Sequence, residues 1–287
     1  MFNPIQTQLK QDTAQIIAAL NLDANTARIE VQCLLQHVLK VPRAYLIAHP
    51  ERRLNEAEHK NYVSLFLRRL HGEPIAYILG EGEFFGLSLQ LNSATLIPRP
   101  ETELLVEKSL QIISTSCLLN YGVLDLGTGS GAIALSIAHH YPDITVVSCD
   151  NSGSALEVAQ VNARRLHIKN VTFMHSDWYA ALGEQGFDLI VSNPPYIAAD
   201  DSHLQRGDLR FEPASALASG ADGLQDMRKI ITRAHAHLKA RGQLWLEHGY
   251  DQAERVRDLL HQAGFTAICS ERDLSGIERI TGGKFID

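Results

Sequence analysis

The chain has 287 residues, of which 45% are hydrophobic and 21% charged, the composition of a soluble globular protein with room for two domains. Its formal net charge of −7 argues against broad attraction to nucleic-acid phosphates. The sequence contains no apolar run of membrane-spanning length and no export signal at Met1-Phe2-Asn3-Pro4, so we expect a cytoplasmic protein.

The first part of the chain is predicted to be helical. One helix carries an apolar face with helical spacing, made of Ala27, Val31, Leu34, Leu35 and Val38. A later helix begins at Asn55, a good N-cap residue, and Glu58 is placed to complete a capping box. Its apolar stripe consists of Val63, Phe66, Leu67 and Leu70. We assign residues 1–74 to an amino-terminal helical domain.

A change of pattern marks the next segment, residues 75–97. Glycines punctuate it at Gly80, Gly82 and Gly86, and Leu87-Ser88-Leu89-Gln90-Leu91 then alternates with period two. We predict a β-hairpin from about Ile75 to Leu91 that links the helical domain to the rest of the chain.

From residue 98 to 287, predicted strands and helices alternate. The candidate strands are Gly122–Leu126, Thr145–Cys149, Val171–Met174, Phe187–Ser192, Gln243–Glu247 and Thr266–Cys269. This rhythm favours an α/β fold with a parallel sheet covered by helices on both faces. Ligands bind such sheets beyond the carboxyl ends of the strands, where Gly127 and Asn193 are expected to share one rim.

A glycine-rich loop follows the first of these strands. Gly127-Thr128-Gly129-Ser130-Gly131 has the spacing G-x-G-x-G, which differs from the G-x-G-x-x-G of dinucleotide sites. Glycine lets the backbone turn tightly and approach a ligand closely. A ligand-free turn and a dinucleotide site are the alternatives that the loop alone leaves open.

Three features near this loop favour S-adenosylmethionine. Asp150 ends the next strand, where a carboxylate can accept hydrogen bonds from both ribose hydroxyls. Asp177 and Trp178 follow the third strand and offer an acceptor for the adenine amino group and a ring to stack on it. Asp125 places negative charge near the cofactor's ammonium and sulfonium groups. Alternatively, Trp178 is a core aromatic and Asp177 a helix cap.

The tetrapeptide Asn193-Pro194-Pro195-Tyr196 directly follows the apolar strand Phe187–Ser192. Two prolines forbid helix and remove two backbone donors, so the strand must end in a stiff, extended turn. Carbonyl oxygens, an asparagine amide and an aromatic ring then form a clamp for a planar group that carries –NH2. A plain strand-ending turn is the alternative.

With both loops present, the chain resembles the class I S-adenosylmethionine-dependent methyltransferases, and further motifs resemble the peptide chain release factor glutamine methyltransferase family. Those motifs are Gly72-Glu-Pro-Ile-Ala76, Glu83-Phe-Phe85, Leu96-Ile-Pro-Arg-Pro-Glu-Thr-Glu103, Arg210-Phe-Glu-Pro213 and Leu246-Glu-His-Gly249. The resemblance implies a seven-stranded, Rossmann-like methyltransferase domain at 98–287, preceded by the helical domain and the hairpin linker. It also implies methyl transfer from S-adenosylmethionine to a glutamine amide nitrogen, with S-adenosylhomocysteine as product.

The resemblance implies roles for the residues of this sequence that occupy the motif positions of the family. The expected cofactor-binding residues are Asp125, Gly127, Thr128, Gly129, Ser130, Gly131, Asp150, Asp177, Trp178 and Asn193. The substrate amide would be bound by Asn193, Pro194, Pro195 and Tyr196, among which Asn193, Pro194 and Tyr196 are the expected catalytic residues. The Asn193 oxygen and the Pro194 carbonyl would accept the two amide N–H groups, and Tyr196 would pack on the amide plane.

The resemblance further implies a partner, namely the Gly-Gly-Gln glutamine of class 1 release factors, gripped by the helical domain and hairpin. We expect a monomer that binds neither DNA nor membrane. The alternatives are methylation of a ribosomal protein glutamine, methylation of adenine in DNA or RNA, and a non-catalytic cofactor-binding protein. Adenine enzymes need a basic channel and a target-recognition region, whereas this chain is acidic overall and leaves only about thirty residues between Tyr196 and the next predicted helix.

No metal site is predicted. The histidines lie on different helix faces or stand alone, and the cysteines, Cys33, Cys117, Cys149 and Cys269, are expected to be reduced and mostly buried. His248 is expected to be structural. Arg99 and Glu101 could join domains or touch substrate, and the stretch around Arg210 could be a lid over the site or a solvated loop.

Overall fold

The computed structural model describes residues 2–116 and 120–286, so Cys117 lies outside the described residues. The chain divides into two compact units. A helical unit comprises Met1–Gly80 and Gln205–Phe211, and an α/β unit comprises Glu81–Leu204 and Glu212–Asp287. No helix in the described part of the chain has the length and apolar character needed to cross a membrane.

Five helices build the helical unit: α1 (Ile5–Leu20), α2 (Ala24–Leu39), α3 (Arg43–Ala48), α4 (Glu56–Leu70) and α5 (Ile75–Leu79). The predicted face of α2 is confirmed, since Ala27, Val31, Leu34 and Leu35 are fully buried. The Asn55–Glu58 capping box is confirmed by both reciprocal hydrogen bonds, each 2.9 Å long. The predicted stripe of α4 is wrong at Leu67, whose side chain is 47% exposed.

The helix α5 replaces the first part of the predicted hairpin. Pro74 precedes it in an extended conformation, and Gly80 ends it with a left-handed backbone. A five-residue apolar run between proline and glycine suits a strand or one helical turn equally well, so periodicity could not separate them. The hairpin itself is shorter, with strands β1 (Glu81–Phe84) and β2 (Leu87–Gln90).

The segment Gln205–Phe211 belongs to the helical unit, although the sequence prediction assigned it to the methyltransferase domain. Its anchor is Arg69, which is 2% exposed and binds both Glu30 (2.7 Å) and Asp208 (3.0 Å). Arg210 also donates to the carbonyl of His71 at 2.9 Å. The buried Arg69 charge therefore holds the segment, because an unpaired guanidinium would be costly to bury.

A seven-stranded sheet forms the centre of the α/β unit, which confirms the predicted fold. Its strands are β3 (Gly122–Leu126), β4 (Thr145–Asp150), β5 (Val171–His175), β6 (Phe187–Ser192), β7 (Leu238–Glu247), β8 (Thr266–Arg272) and β9 (Glu278–Lys284), in the order β5-β4-β3-β6-β7-β9-β8. The helices of this unit are α6 (Glu103–Ser114), α7 (Ala132–His140), α8 (Gly153–Arg165), α9 (Gln225–Ala234) and α10 (Ala253–Gln262). All strand pairs are parallel except those of β9.

Strand β9 was not among the strands predicted from the sequence. It contains Gly282 and Gly283, which lower strand propensity. It nevertheless lies between β7 and β8, where a Cβ atom on Gly282 would stand 2.2 Å from the Trp245 ring. Glycine is therefore needed for the neighbouring tryptophan to pack on the sheet.

The order of the strands reverses between β3 and β6. In the paired register, Leu126 at the end of β3 lies opposite Ser192 at the end of β6. The Ser192 hydroxyl donates to the Leu126 carbonyl at 2.6 Å and so ties the two ends together. Gly127 and Asn193 come next on their strands, which confirms that the two loops share one rim.

Candidate active site

A cavity of about 350 Å³ opens at this rim of the α/β unit. Its volume falls in the range of small-molecule and cofactor sites. The predicted site residues that line it are Gly127, Thr128, Gly129, Ser130, Asp150, Asp177, Trp178, Asn193 and Pro195. Four others, Asp125, Gly131, Pro194 and Tyr196, are not part of its lining. Both predicted loops thus border one cavity.

Backbone geometry explains the glycine loop. Gly127, Gly129 and Gly131 all have positive φ angles, of 74°, 55° and 86°. At Gly131, which caps α7, an added Cβ would also lie 2.9 Å from the Leu135 side chain. Any other residue there would be strained, so glycine sets the close approach of α7 to the loop.

Asp150 connects the loop to the start of the next helix. One of its oxygens accepts from the Gly129 amide and the other from the Ser152 amide, both at 2.8 Å. Each carboxylate oxygen can accept a second hydrogen bond. Asp150 therefore remains able to accept two further donors, such as the paired hydroxyls of a ribose.

Trp178 lines the cavity from the turn after β5. Its backbone has a positive φ of 50°, an uncommon conformation for a non-glycine residue. The Ser176 hydroxyl donates to the Trp178 carbonyl at 2.8 Å and stabilises that turn. The ring also packs against a hydrophobic cluster of the α/β unit that includes Leu126 and Leu246, so Trp178 is both a core aromatic and part of the cavity wall. The neighbouring Asp177 lines the same cavity.

Asp125 is fully buried in β3, where only Leu126 separates it from the glycine loop. Neither carboxylate oxygen has a partner of good hydrogen-bonding geometry among the described residues. Burial raises the pKa of Asp125 to about 7, and the nearby Asp150 charge adds to the shift, while the Thr128 and Ser148 hydroxyls oppose it. An unpartnered acid in this place suits a positively charged ligand, which would favour its ionised form.

The buried Asp125 carboxylate should destabilise the ligand-free protein at neutral and higher pH. Its folded-state pKa exceeds the ordinary value of 3.8, so the folded state binds more protons between these values and loses stability as pH rises from about 4 to 7. At pH 8, the free energy of unfolding of Asp125→Asn should therefore exceed that of the parent by up to about 4 kcal/mol. The variant should also unfold at a higher temperature than the parent at this pH. Thermal unfolding at pH 5 and pH 8 measures this.

Asp143→Asn is the control for that experiment, because Asp143 is an exposed carboxylate just before β4. It should show no pH-dependent difference from the parent. If the unfolding temperature of Asp125→Asn differed from the parent equally at pH 5 and pH 8, the raised pKa of Asp125 would be contradicted.

The Asn-Pro-Pro-Tyr turn is held from several sides. The Asn193 side-chain nitrogen donates to the Thr102 hydroxyl at 3.1 Å. The Tyr196 hydroxyl donates to the Glu247 carboxylate at 3.3 Å, and the Tyr196 backbone carbonyl accepts from the Gln252 side chain at 3.0 Å. The Tyr196 side chain packs against the same hydrophobic cluster of the α/β unit as Trp178. Its stacking on a substrate amide stays a prediction.

Thr102 and Glu247 entered the sequence prediction only as members of longer motifs. No role was predicted for Asp226 and Lys229, which line the cavity from α9 and bind each other at 2.8 Å. The three-residue spacing of that pair on one helix was a visible signal for an ion pair. No local sequence signal placed this pair at the cavity, because the packing of α9 on the sheet brings the two residues there.

Arg99, His248 and Cys269 have defined surroundings in the fold. Arg99 forms an ion pair with the buried Glu212, which also accepts from the Ile97 amide at 3.0 Å, so Arg99 has a structural contact. His248 is buried between the Gly249 carbonyl (2.9 Å) and the Thr281 hydroxyl (2.7 Å), and burial lowers its pKa. Cys269 is exposed, unlike the prediction for the cysteines.

Comparison with known proteins agrees with this arrangement. The family model "Methyltransferase small domain" matches residues 101–220, and "PrmC N-terminal domain" matches residues 13–80. The 16S rRNA methyltransferase RsmC of T. thermophilus, solved in complex with AdoMet and guanosine, superposes with a TM-score of 0.51 at 20% identity, over 71% of this chain and 49% of that one. That similarity concerns the fold alone. Within the described residues, no group of three His, Cys, Asp or Glu side chains could hold a metal ion.

Two bacterial relatives match almost the entire chain. The release factor glutamine methyltransferase of Burkholderia pseudomallei is 49% identical over 278 residues, which cover 94% of this chain and 95% of the relative. That of Coxiella burnetii is 45% identical over 272 residues, covering 95% and 97%. Identity of this extent, through the helical unit as well as the α/β unit, shows that the chain belongs to the release factor glutamine methyltransferase family.

Proposed function

We propose that this protein transfers a methyl group from S-adenosylmethionine to the side-chain amide nitrogen of the glutamine in the Gly-Gly-Gln motif of class 1 peptide chain release factors. The observation that carries this function is the register between β3 and β6, which sets the glycine loop and the Asn-Pro-Pro-Tyr turn side by side at one cavity. The relatives named for this activity support the choice of substrate.

The cavity has the acceptors and the ring that the cofactor needs. Asp150 would accept from the ribose hydroxyls, Asp177 from the adenine amino group, and Trp178 would stack on the adenine. The loop Gly127–Gly131 would lie against the amino acid part, and Asp125 beneath it would supply negative charge. When bound, S-adenosylmethionine supplies an electrophilic methyl carbon and leaves as S-adenosylhomocysteine.

The clamp residues would orient an amide that is a poor nucleophile, because its nitrogen lone pair is delocalised into the carbonyl. Asn193 Oδ1 and the Pro194 carbonyl would accept its two N–H groups and fix the nitrogen at the rim. Because the sulfonium methyl is already activated, the protein mainly needs to position the amide nitrogen against it. A strong general base is not required, since the nitrogen loses its proton after it has become cationic.

A substrate panel tests the proposal. The purified protein is incubated with radiolabelled S-adenosylmethionine and, in separate reactions, a class 1 release factor, the same factor with the Gly-Gly-Gln glutamine replaced by alanine, a ribosomal protein fraction, and DNA. Label should enter only the unaltered release factor. Label in the ribosomal protein or in DNA, with none in the release factor, would establish one of the alternative activities.

We place the enzyme in the cytoplasm as a monomer that does not bind DNA. The helical unit would hold the protein substrate. Ile47 on α3 is 64% exposed and offers an apolar contact for a protein partner. Ile47→Asp should raise the KM for intact release factor about tenfold and leave the KM for a short Gly-Gly-Gln peptide unchanged.

Leu274→Asp is the matched control, since Leu274 is fully exposed on the α/β unit. It should change neither KM. An Ile47→Asp variant with the parental KM for release factor would show that α3 does not contact the substrate.

A further inference from the structure

A buried asparagine on α8 binds both the hairpin and the glycine loop of the α/β unit. Asn162 is fully buried, and its carboxamide makes three hydrogen bonds. Its oxygen accepts from the Gln90 amide at 2.6 Å, and its nitrogen donates to the Gln90 carbonyl at 3.0 Å. The same nitrogen donates to the Ser130 carbonyl at 2.9 Å. One side chain therefore joins the end of β2 to the loop after β3.

The orientation of this carboxamide follows from its partners. A backbone N–H group can only donate a hydrogen bond, and a backbone carbonyl can only accept one. The Asn162 oxygen must therefore face the Gln90 amide, and the –NH2 group must face the Gln90 and Ser130 carbonyls. All three partners are backbone groups, so their hydrogen bonds do not change with protonation.

Both segments that Asn162 binds lead into the cavity. Shortly after Gln90, the chain forms a part of the cavity lining that we call the hairpin wall, made of Ala94, Thr95, Leu96 and Pro98. The far end of this wall is held by Glu212, whose carboxylate accepts from the Ile97 amide at 3.0 Å. Ser130 lines the cavity from the glycine loop. Asn162 thus holds the near end of the hairpin wall and the glycine loop at once.

The glycine loop also packs closely on α8 beside this hydrogen bond. A Cβ atom on Gly131 would lie 3.2 Å from the Cβ of Ala159, which precedes Asn162 by almost one helical turn. Contact and hydrogen bond therefore hold the loop against the same face of the helix.

We propose that Asn162 is a positioning residue for the cofactor, which fixes the glycine loop and the hairpin wall relative to each other. This inference rests on the proposed function, since the ligand of the cavity is taken to be S-adenosylmethionine. Asn162 is not part of the cavity lining and acts through the Ser130 carbonyl and the Gln90 backbone. The hairpin is accordingly a part of the cofactor site and not only a linker.

Calorimetric titration with S-adenosylhomocysteine tests the role of Asn162. Asn162→Ala removes all three hydrogen bonds. Asn162→Asp keeps the size and the acceptor for the Gln90 amide, but turns an oxygen toward two carbonyls, and it is the test variant should Asn162→Ala not fold. Each should raise the Kd about ten- to a hundredfold, because buried carbonyls lose their donor and the two segments shift. At saturating S-adenosylmethionine, kcat should stay close to the parental value, since the Asn-Pro-Pro-Tyr turn is unchanged.

Asn170→Ala is the matched control, because Asn170 is an asparagine of the same kind at the other end of the sheet. Its –NH2 group lies within hydrogen-bonding distance of three carbonyls that precede β4, those of Ala138 (3.2 Å), Tyr141 (3.1 Å) and Ile144 (3.2 Å). Asn170→Ala should lower the unfolding temperature and leave the Kd for S-adenosylhomocysteine at the parental value.

Hydrogen–deuterium exchange of the ligand-free protein gives a readout that does not depend on the cofactor. Asn162→Ala should speed exchange at least about tenfold at the amides of the hairpin wall and the glycine loop, whereas Asn170→Ala should do so only before β4. A parental Kd in the Asn162 variants, or an equal rise of Kd in Asn170→Ala, would overturn the inference. Failure of the parent to bind S-adenosylhomocysteine would instead refute the proposed cofactor, so the two failures are distinguishable.

Discussion

Asn193→Ala should lose methyl transfer while it keeps the fold and most of its affinity for the cofactor. The substitution leaves one substrate N–H without an acceptor, which costs about 1–3 kcal/mol, and a freely rotating amide adds a loss of orientation. We expect kcat on release factor to fall by at least about a hundredfold. Single-turnover methyl transfer to release factor measures this directly.

Calorimetric titration with S-adenosylhomocysteine is the internal control for that variant. Asn193 lines the cavity, so a change of a fewfold in affinity is compatible with its place there. Parental kcat in Asn193→Ala would remove Asn193 from the reaction and with it the basis for the clamp.

Asp150→Ala should act at the other half of the site and weaken binding of the cofactor. Its carboxylate would otherwise accept two ribose hydroxyls, and hydrogen bonds to charged groups are worth about 1.5–3 kcal/mol each. We expect the Kd for S-adenosylhomocysteine to rise at least about a hundredfold. The loss of its bonds to the Gly129 and Ser152 amides adds to this, because the loop is then less firmly held.

Asp143→Ala is the matched control for this second variant, as it removes an exposed carboxylate just before the other end of the same strand. It should bind S-adenosylhomocysteine with the parental Kd. At saturating cofactor, Asp150→Ala should recover much of its kcat. An unchanged Kd in Asp150→Ala would show that the cofactor does not lie along the carboxyl end of β4.

Local signals in the sequence were sufficient for the parts of the site that are built from turns. Glycines at positive φ and consecutive prolines restrict the backbone wherever they occur, so the loop at Gly127 and the turn at Pro194 could be assigned to strand ends from the sequence alone. The alternation of strands and helices then predicted that both turns lie at one rim of the sheet. The pairing of Leu126 with Ser192 confirms that prediction. The roles of the individual side chains remain proposals.

Features that depend on distant contacts could not be predicted. Strand β9 is stabilised between β7 and β8 although its glycines disfavour a strand, and the Arg69–Asp208 pair joins residues 139 positions apart. The same holds for the hydrogen bond between Asn193 and Thr102 and for that between Tyr196 and Glu247, whose partners lie 91 and 51 positions apart. Propensity and spacing describe neighbours along the chain, whereas these contacts are set by the fold.

A crystal structure of the protein with S-adenosylhomocysteine and a Gly-Gly-Gln peptide is the most direct test of the proposed clamp. The glutamine nitrogen should lie within hydrogen-bonding distance of both Asn193 Oδ1 and the Pro194 carbonyl, with the cofactor sulfur between the Gly127 loop and that nitrogen. A glutamine amide bound away from the Asn-Pro-Pro-Tyr turn, or a cofactor outside the cavity at Asp150, would contradict it.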